Sequence, residues 1–184
     1  MFIFKTLKES SQELKKLNTL ITCSLLLAIC VVLGLLGTVM LGQFIRISFN
    51  YLPIALGGML FGPVAGSILG ALSDILNYIL APKGPFYPGF TINAIITGLI
   101  YGFGFYRKRI TIKRIAFIKV ILVICVDILL STYWLSDLYG QAFLALLPMR
   151  ALKSIIMLPI DVAMLYFVLT RLPALLKINR KESL

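Results

Sequence analysis

Apolar residues fill six stretches of this chain, 17–42, 44–62, 63–82, 88–106, 115–135 and 146–172, and most charged residues lie between them. A helix needs about 20 residues to cross roughly 30 Å of hydrocarbon. Five stretches meet that length comfortably. The second is shorter, with an irregular run around Gly37–Phe49 before its helix, and residues 50–81 read either as one long span or as two helices joined at Gly62-Pro63.

Charge placement chooses between these. Of the 18 Lys and Arg, 14 lie in the N-terminal segment, in residues 107–119 and in the tail from Arg171. Six spans put all three groups on the cytoplasmic side and leave Arg46, Lys83, Arg150 and Lys153 outside, as the positive-inside rule requires. Five spans would put residues 107–119 outside. The pattern therefore predicts an all-α integral membrane protein. It has six transmembrane helices in a compact bundle, forms a single domain over 1–184, and keeps both termini cytoplasmic.

Composition agrees with that picture. The chain has 184 residues, 60% of them hydrophobic before its 14 glycines are counted, and only 14% charged. Soluble domains reach about 45–50% with glycine included. The formal charge of +11 belongs to loops at a membrane surface and not to a nucleic-acid interface, so no nucleic-acid partner is expected. With no histidine, His-ligated metals and His-based triads are excluded, and Cys23, Cys30 and Cys125 lack paired-ligand spacing. No P-loop motif occurs. No metal or cofactor is expected, and no cleaved signal peptide at the N-terminus.

The informative residues are polar ones inside the apolar stretches, because such groups are costly in lipid and face a cavity or a partner. Gly62, Gly66, Gly70 and Asp74 recur every fourth residue and form one ridge. The glycines admit a neighbouring helix closely. Asp74, with Asn77 and Tyr78 a turn on, stands about 12 residues or roughly 18 Å above the Gly62 turn. It is either a polar lock between helices or one wall of a pocket. An outer loop rich in proline and aromatics, with Phe86 and Tyr87, leads into a stripe of Asn93, Thr97 and Tyr101. Trp134 and Tyr139 sit at the outer end of the fifth helix, as an interfacial belt or as stacking surfaces for a planar ligand. Arg150 and Lys153, a turn apart, either snorkel or hold a carboxylate. Arg46 is an anchor or a gate residue. Asp127 and Asp161 read as mainly structural, each able to pair with a neighbouring helix. Pro159 is expected to kink the last helix.

Four blocks carry a resemblance over residues 20–172: Gly62-Pro63 with Gly66, Gly70 and Asp74; Pro88-Gly89-Phe90-Thr91; Trp134-Leu135 with Tyr139-Gly140; and Leu147-Pro148 with Arg150 and Lys153. This pattern resembles the substrate-binding S components of energy-coupling factor (ECF) vitamin transporters, most closely the folate-specific branch. The resemblance implies a non-catalytic six-helix binding protein in the bacterial plasma membrane. It captures vitamin from outside and docks on a transmembrane coupling protein with two cytoplasmic ATPase subunits. Docking in that family uses small residues on the first helix, for which Ser24 and Ala28 are the nearest match, with Val32 departing from the pattern. For folate, Asp74 and Asn77 suit the amino-pyrimidinone edge of the pterin. Tyr78, Phe86, Tyr139 and Trp134 suit the flat rings, and Arg150 with Lys153 suits the glutamate tail. Two rivals remain. One is an S component for another planar vitamin such as thiamine, whose cation fits Arg150 and Lys153 poorly. The other is an intramembrane aspartyl enzyme using Asp127 and Asp161, which lacks the flanking motif.

Overall fold

Proline and glycine set the breaks between the helices. Pro63 and Pro88 each occupy the first turn of a helix, where the missing N–H costs nothing and φ is already helical. Gly62 separates two helices with φ +91°, a conformation that side-chain-bearing residues rarely adopt. Gly140 closes another helix in the left-handed region, and the Thr111 side chain caps a third by accepting the Arg114 N–H.

The computed structural model describes residues 2–37, 39–41, 45–82, 84–140 and 143–175. The elements are α1 (Phe2–Glu13), α2 (Leu17–Leu36), β1 (Val39–Leu41), β2 (Ile45–Ile47), α3 (Tyr51–Phe61), α4 (Pro63–Leu80), α5 (Pro88–Phe105), α6 (Ile112–Leu122), a π-helical segment (Val123–Leu130), α7 (Ser131–Tyr139) and α8 (Phe143–Leu175). Among these residues the architecture is all-helical apart from one antiparallel hairpin, in which Met40 pairs with Arg46.

Among the described residues, five helices are long and apolar enough to cross a bilayer: α2, α4, α5, the continuous run Ile112–Tyr139, and Phe143–Arg171 of α8. The first span ends at Leu36 and not at residue 42, because the chain turns at Gly37 into the hairpin. The second predicted span shrinks to α3, eleven residues or about 16 Å. All eight residues from Leu52 to Met59 are buried in it. Helix α8 runs through Pro148 and Pro159 without interruption.

Helices α4 and α5 form the most extensive contact in the bundle, because their backbones touch. A Cβ on Gly66 would lie 2.6 Å from the Gly98 carbonyl oxygen, and one on Gly98 would overlap the Gly66 carbonyl. The ridge of α4 thus meets a second small-residue ridge on α5, Ala94, Gly98 and Gly102. That face is offset by one residue from the polar stripe Asn93, Thr97 and Tyr101. Helix α1 fastens the end of the bundle that holds the Gly62 turn. There the buried Ser10 hydroxyl donates to the Phe61 carbonyl at 2.7 Å and accepts the Val64 N–H at 3.1 Å. Glu9 pairs with Arg107 at 2.9 Å.

Candidate functional site

The backbone contact of α4 with α5 turns their polar faces the same way, toward a cavity of about 390 Å³ that is also lined by α3, α6, the π-helical segment, α7 and α8. Of the residues singled out from the sequence, Asp74, Asn77, Tyr78, Phe86, Tyr87, Asn93, Thr97, Tyr139, Arg150 and Lys153 line it.

Their side chains are not equally available. Asp74 accepts a hydrogen bond from Thr91 at 2.8 Å. Asn77 is turned toward α2: its amide donates to the Ser73 carbonyl at 2.7 Å, and its oxygen packs on Gly34 without a hydrogen-bond partner among the described residues. Tyr78 and Phe86 form a tilted ring pair with centroids 4.9 Å apart. The Tyr87 hydroxyl donates to Asp137 at 2.6 Å, tying the loop before α5 to α7. That bond to a carboxylate raises the Tyr87 phenol above its ordinary pKa.

Trp134 is not among the lining residues. Its indole N–H donates to the Asn93 side-chain oxygen Oδ1 at 3.1 Å, while the Asn93 side-chain amide Nδ2 donates to the Ser131 hydroxyl at 2.9 Å. Asn93 therefore joins α5 to α7, and Trp134 packs on Gly89 and beside Tyr87, with centroids 5.6 Å apart. The indole supports the wall from behind. Asn93→Ala would leave the Trp134 N–H and the Ser131 hydroxyl without these partners. We expect a loss of about 1–3 kcal/mol of stability, read as a lower unfolding temperature in detergent.

Arg150 reaches the Asp127 backbone carbonyl at 3.4 Å, and Lys153 lies on the same face a turn further along α8. Asp127 stands in the π-helical segment, a form that recurs at functional sites. The Arg46 side chain lies outside the described residues. Ser24 and Ala28 are exposed on the outer face of α2, away from the cavity.

The most consequential group was assigned elsewhere by the sequence reading. Lys119, counted there with the cytoplasmic basic cluster, is buried in the cavity. It pairs with Asp161 of α8 at 2.9 Å, with side-chain exposures of 8% and 10%. Asp161 also accepts from the Tyr51 hydroxyl at 2.7 Å, and the Lys119 ammonium stands 4.4 Å from the centre of the Tyr51 ring. Tyr101 lines the same end of the cavity, fully buried, its hydroxyl beside the Lys119 ammonium. The signal in the sequence was periodicity: Ile115, Ile118, Lys119, Leu122 and Val126 form the inward face of α6 and its continuation. Among the described residues no cluster of three His, Cys, Asp or Glu could hold a metal ion.

Residues 18–169 match the sequence profile of a family described as the substrate-specific component of ECF transporters. A folate transporter, FolT, of Clostridium novyi is 35% identical over 153 residues, covering 83% of this chain and 88% of the relative. The riboflavin transporter RibU of Staphylococcus aureus is 30% identical over 129 residues, 67% of this chain and 68% of the relative. A crystal structure of FolT bound with folic acid superposes with a TM-score of 0.76 at 34% identity, covering 82% of this chain and 93% of that one.

Proposed function

The chain belongs to the substrate-specific components of ECF transporters, and from that membership we propose that it captures folate from outside the cell and delivers it through an ECF importer. The family binds and transports its substrate and is not enzymatic. What carries the folate reading is a cavity that combines aromatic walls with cations, in a chain similar to a FolT solved with folic acid.

The chemistry of the wall supports it. The rings of Tyr78, Phe86 and Tyr139 offer flat apolar surface for a planar heterocycle and an aminobenzoyl group. Arg150 and Lys153 face the cavity from one side of α8, and anionic carboxylates are their natural partners. Thiamine, a cation, and riboflavin, which is uncharged, offer those two residues no carboxylate.

Six passes are the reading of the topology, with α3 and the hairpin together replacing a full-length second span. The Glu9–Arg107 pair and the Ser10 bonds at the Gly62 turn support one shared end for the N-terminal helix, that turn and the basic loop. By the positive-inside rule that end is cytoplasmic, and the cavity mouth near Tyr87 and Asp137 is external. The exposed small residues Ser24 and Ala28 on α2 are the proposed contact for a transmembrane coupling protein, which joins two ATPase subunits.

Calorimetric titration of the detergent-purified protein with folate tests the reading, with thiamine and riboflavin as controls. The expected result is one folate per chain at submicromolar Kd and no binding of thiamine. Absence of folate binding in folded protein, or preferential riboflavin binding, would overturn it. Arg150→Ala should weaken folate by about tenfold or more. It should leave pteroate, which lacks the glutamate tail, unaffected.

A further inference from the structure

We propose that α1 is a membrane-surface helix that binds anionic phospholipid head groups through Lys5, Lys8 and Lys15, with Ile3 and Phe4 set into the acyl boundary. This site is on the outside of the bundle, at its Gly62 end, and does not depend on what the cavity holds.

Helix α1 has three sides. At about 100° per residue, Thr6, Glu9, Ser10 and Glu13 share one, and it is committed to the protein. Ser10 is bonded to Phe61 and Val64 on either side of Gly62, and Glu9 to Arg107. Ile3, Phe4 and Leu7 make the second side, which is apolar and has little protein to pack on: Phe4 is 79% exposed and Ile3 58%. Lys5, Lys8 and Gln12 make the third, all exposed. A short turn follows, in which Lys15 and Lys16 are also exposed, and α2 begins at Leu17. Glu13 holds Lys16 at 2.9 Å. Both carboxylates of α1 are thus already engaged, and among the described residues no ion pair uses Lys5, Lys8 or Lys15.

What covers the two open sides follows from where they lie. Only residues 14–16 separate α1 from α2, a helix apolar enough to cross the bilayer whose first turns expose Leu17, Leu20 and Ile21. The edge of the hydrocarbon is therefore at the foot of α2, and the Ser10 and Glu9 bonds hold α1 beside it. An exposed phenylalanine and isoleucine there leave water by dipping into the acyl boundary. Lysines on the adjoining side then stand at head-group height, on stems that can snorkel. Lys5, Lys8, Lys15 and Lys16, gathered just ahead of a membrane span, are the pattern that anionic lipid attracts. Zwitterionic head groups carry no net charge to match them. Because α1 is already fastened to the bundle, little ordering entropy is lost when lipid binds. An acidic protein would also match the lysines, but lipid is the partner that the adjoining span keeps within reach at all times.

The test places a reporter on the apolar side. The full chain carrying Phe4→Trp is reconstituted into nanodiscs of pure phosphatidylcholine and into nanodiscs that also contain phosphatidylglycerol. The emission that the new indole adds to that of Trp134 is recorded, with its quenching by lipids spin-labelled near the carbonyl. Phosphatidylglycerol should shift that emission to the blue and raise the quenching about twofold or more. Adding Lys5→Gln, Lys8→Gln and Lys15→Gln together should abolish the difference between the two membranes, as should salt at about 0.5 M. The unfolding temperature in detergent should not change, because all three lysines are exposed. An indole in water in both membranes overturns the proposal, as does equal quenching in both, which leaves apolar insertion without recognition of charge. A lipid difference that survives the three lysine changes overturns it too. If the indole is shielded only when a coupling protein and its ATPases are added, the face is a protein-docking surface and the lipid assignment is wrong.

Discussion

Replacing Gly98 by valine should leave little or no monodisperse protein after detergent extraction. A Cβ at this position would overlap the Gly66 carbonyl and stand 2.7 Å from the Ser67 nitrogen. Both are main-chain atoms inside α4, so no side chain can swing aside. The helices would have to separate along the contact that shapes the cavity, and Gly66 meets the same constraint from the other side. Overpacking of a close-packed site costs about 1–3 kcal/mol and more where the backbone must move. Folded proteins hold only about 5–15 kcal/mol in reserve. Gly104→Ala is the milder comparison, because the three atoms nearest its Cβ all belong to the Ile118 side chain and none to a main chain. Size-exclusion yield and unfolding temperature decide the matter. A Gly98→Val protein with wild-type yield and stability would mean that the two helices do not touch through these glycines.

How far the sequence exposed this arrangement varied with the kind of signal. The α4 ridge was legible because its residues recur at one spacing and a charge stands at its end. The matching ridge on α5 was not recognised, although Ala94, Gly98 and Gly102 share that spacing. The more conspicuous polar stripe at Asn93, Thr97 and Tyr101 runs beside it. Lys119 was misplaced because counting charges by segment assigned it to its neighbours in sequence, whereas Arg114 and Lys119 are separated by Ile115-Ala116-Phe117-Ile118 and face different ways. Residue type pointed to Trp134 and Asn77 as ligand groups. Their direction depends on partners far along the chain, Asn93 for the indole and Gly34 for the amide oxygen, and no local pattern encodes that. The hairpin before α3 had only its irregular composition as a sign.

Lys119→Met should be among the most destabilising single substitutions in the chain, by about 3–5 kcal/mol. It leaves the Asp161 carboxylate with the Tyr51 hydroxyl as its one described partner, deep in a bundle that spans a membrane. Asp161→Leu should cost less, because the ammonium keeps the Tyr51 ring, the Tyr101 hydroxyl and the Asp127 charge nearby. The double variant removes both charges and fills their place with apolar side chains, so it should be more stable than either single variant and close to wild type. Unfolding temperatures of the four proteins in one detergent measure the coupling. The single variants should fall by on the order of 10 °C, and the double by much less. A double variant as unstable as the singles would show that the residues act through packing and not as a pair. The cycle also separates stability from recognition. An ion pair that can be replaced without loss of stability but not without loss of folate binding is one the protein keeps for its ligand.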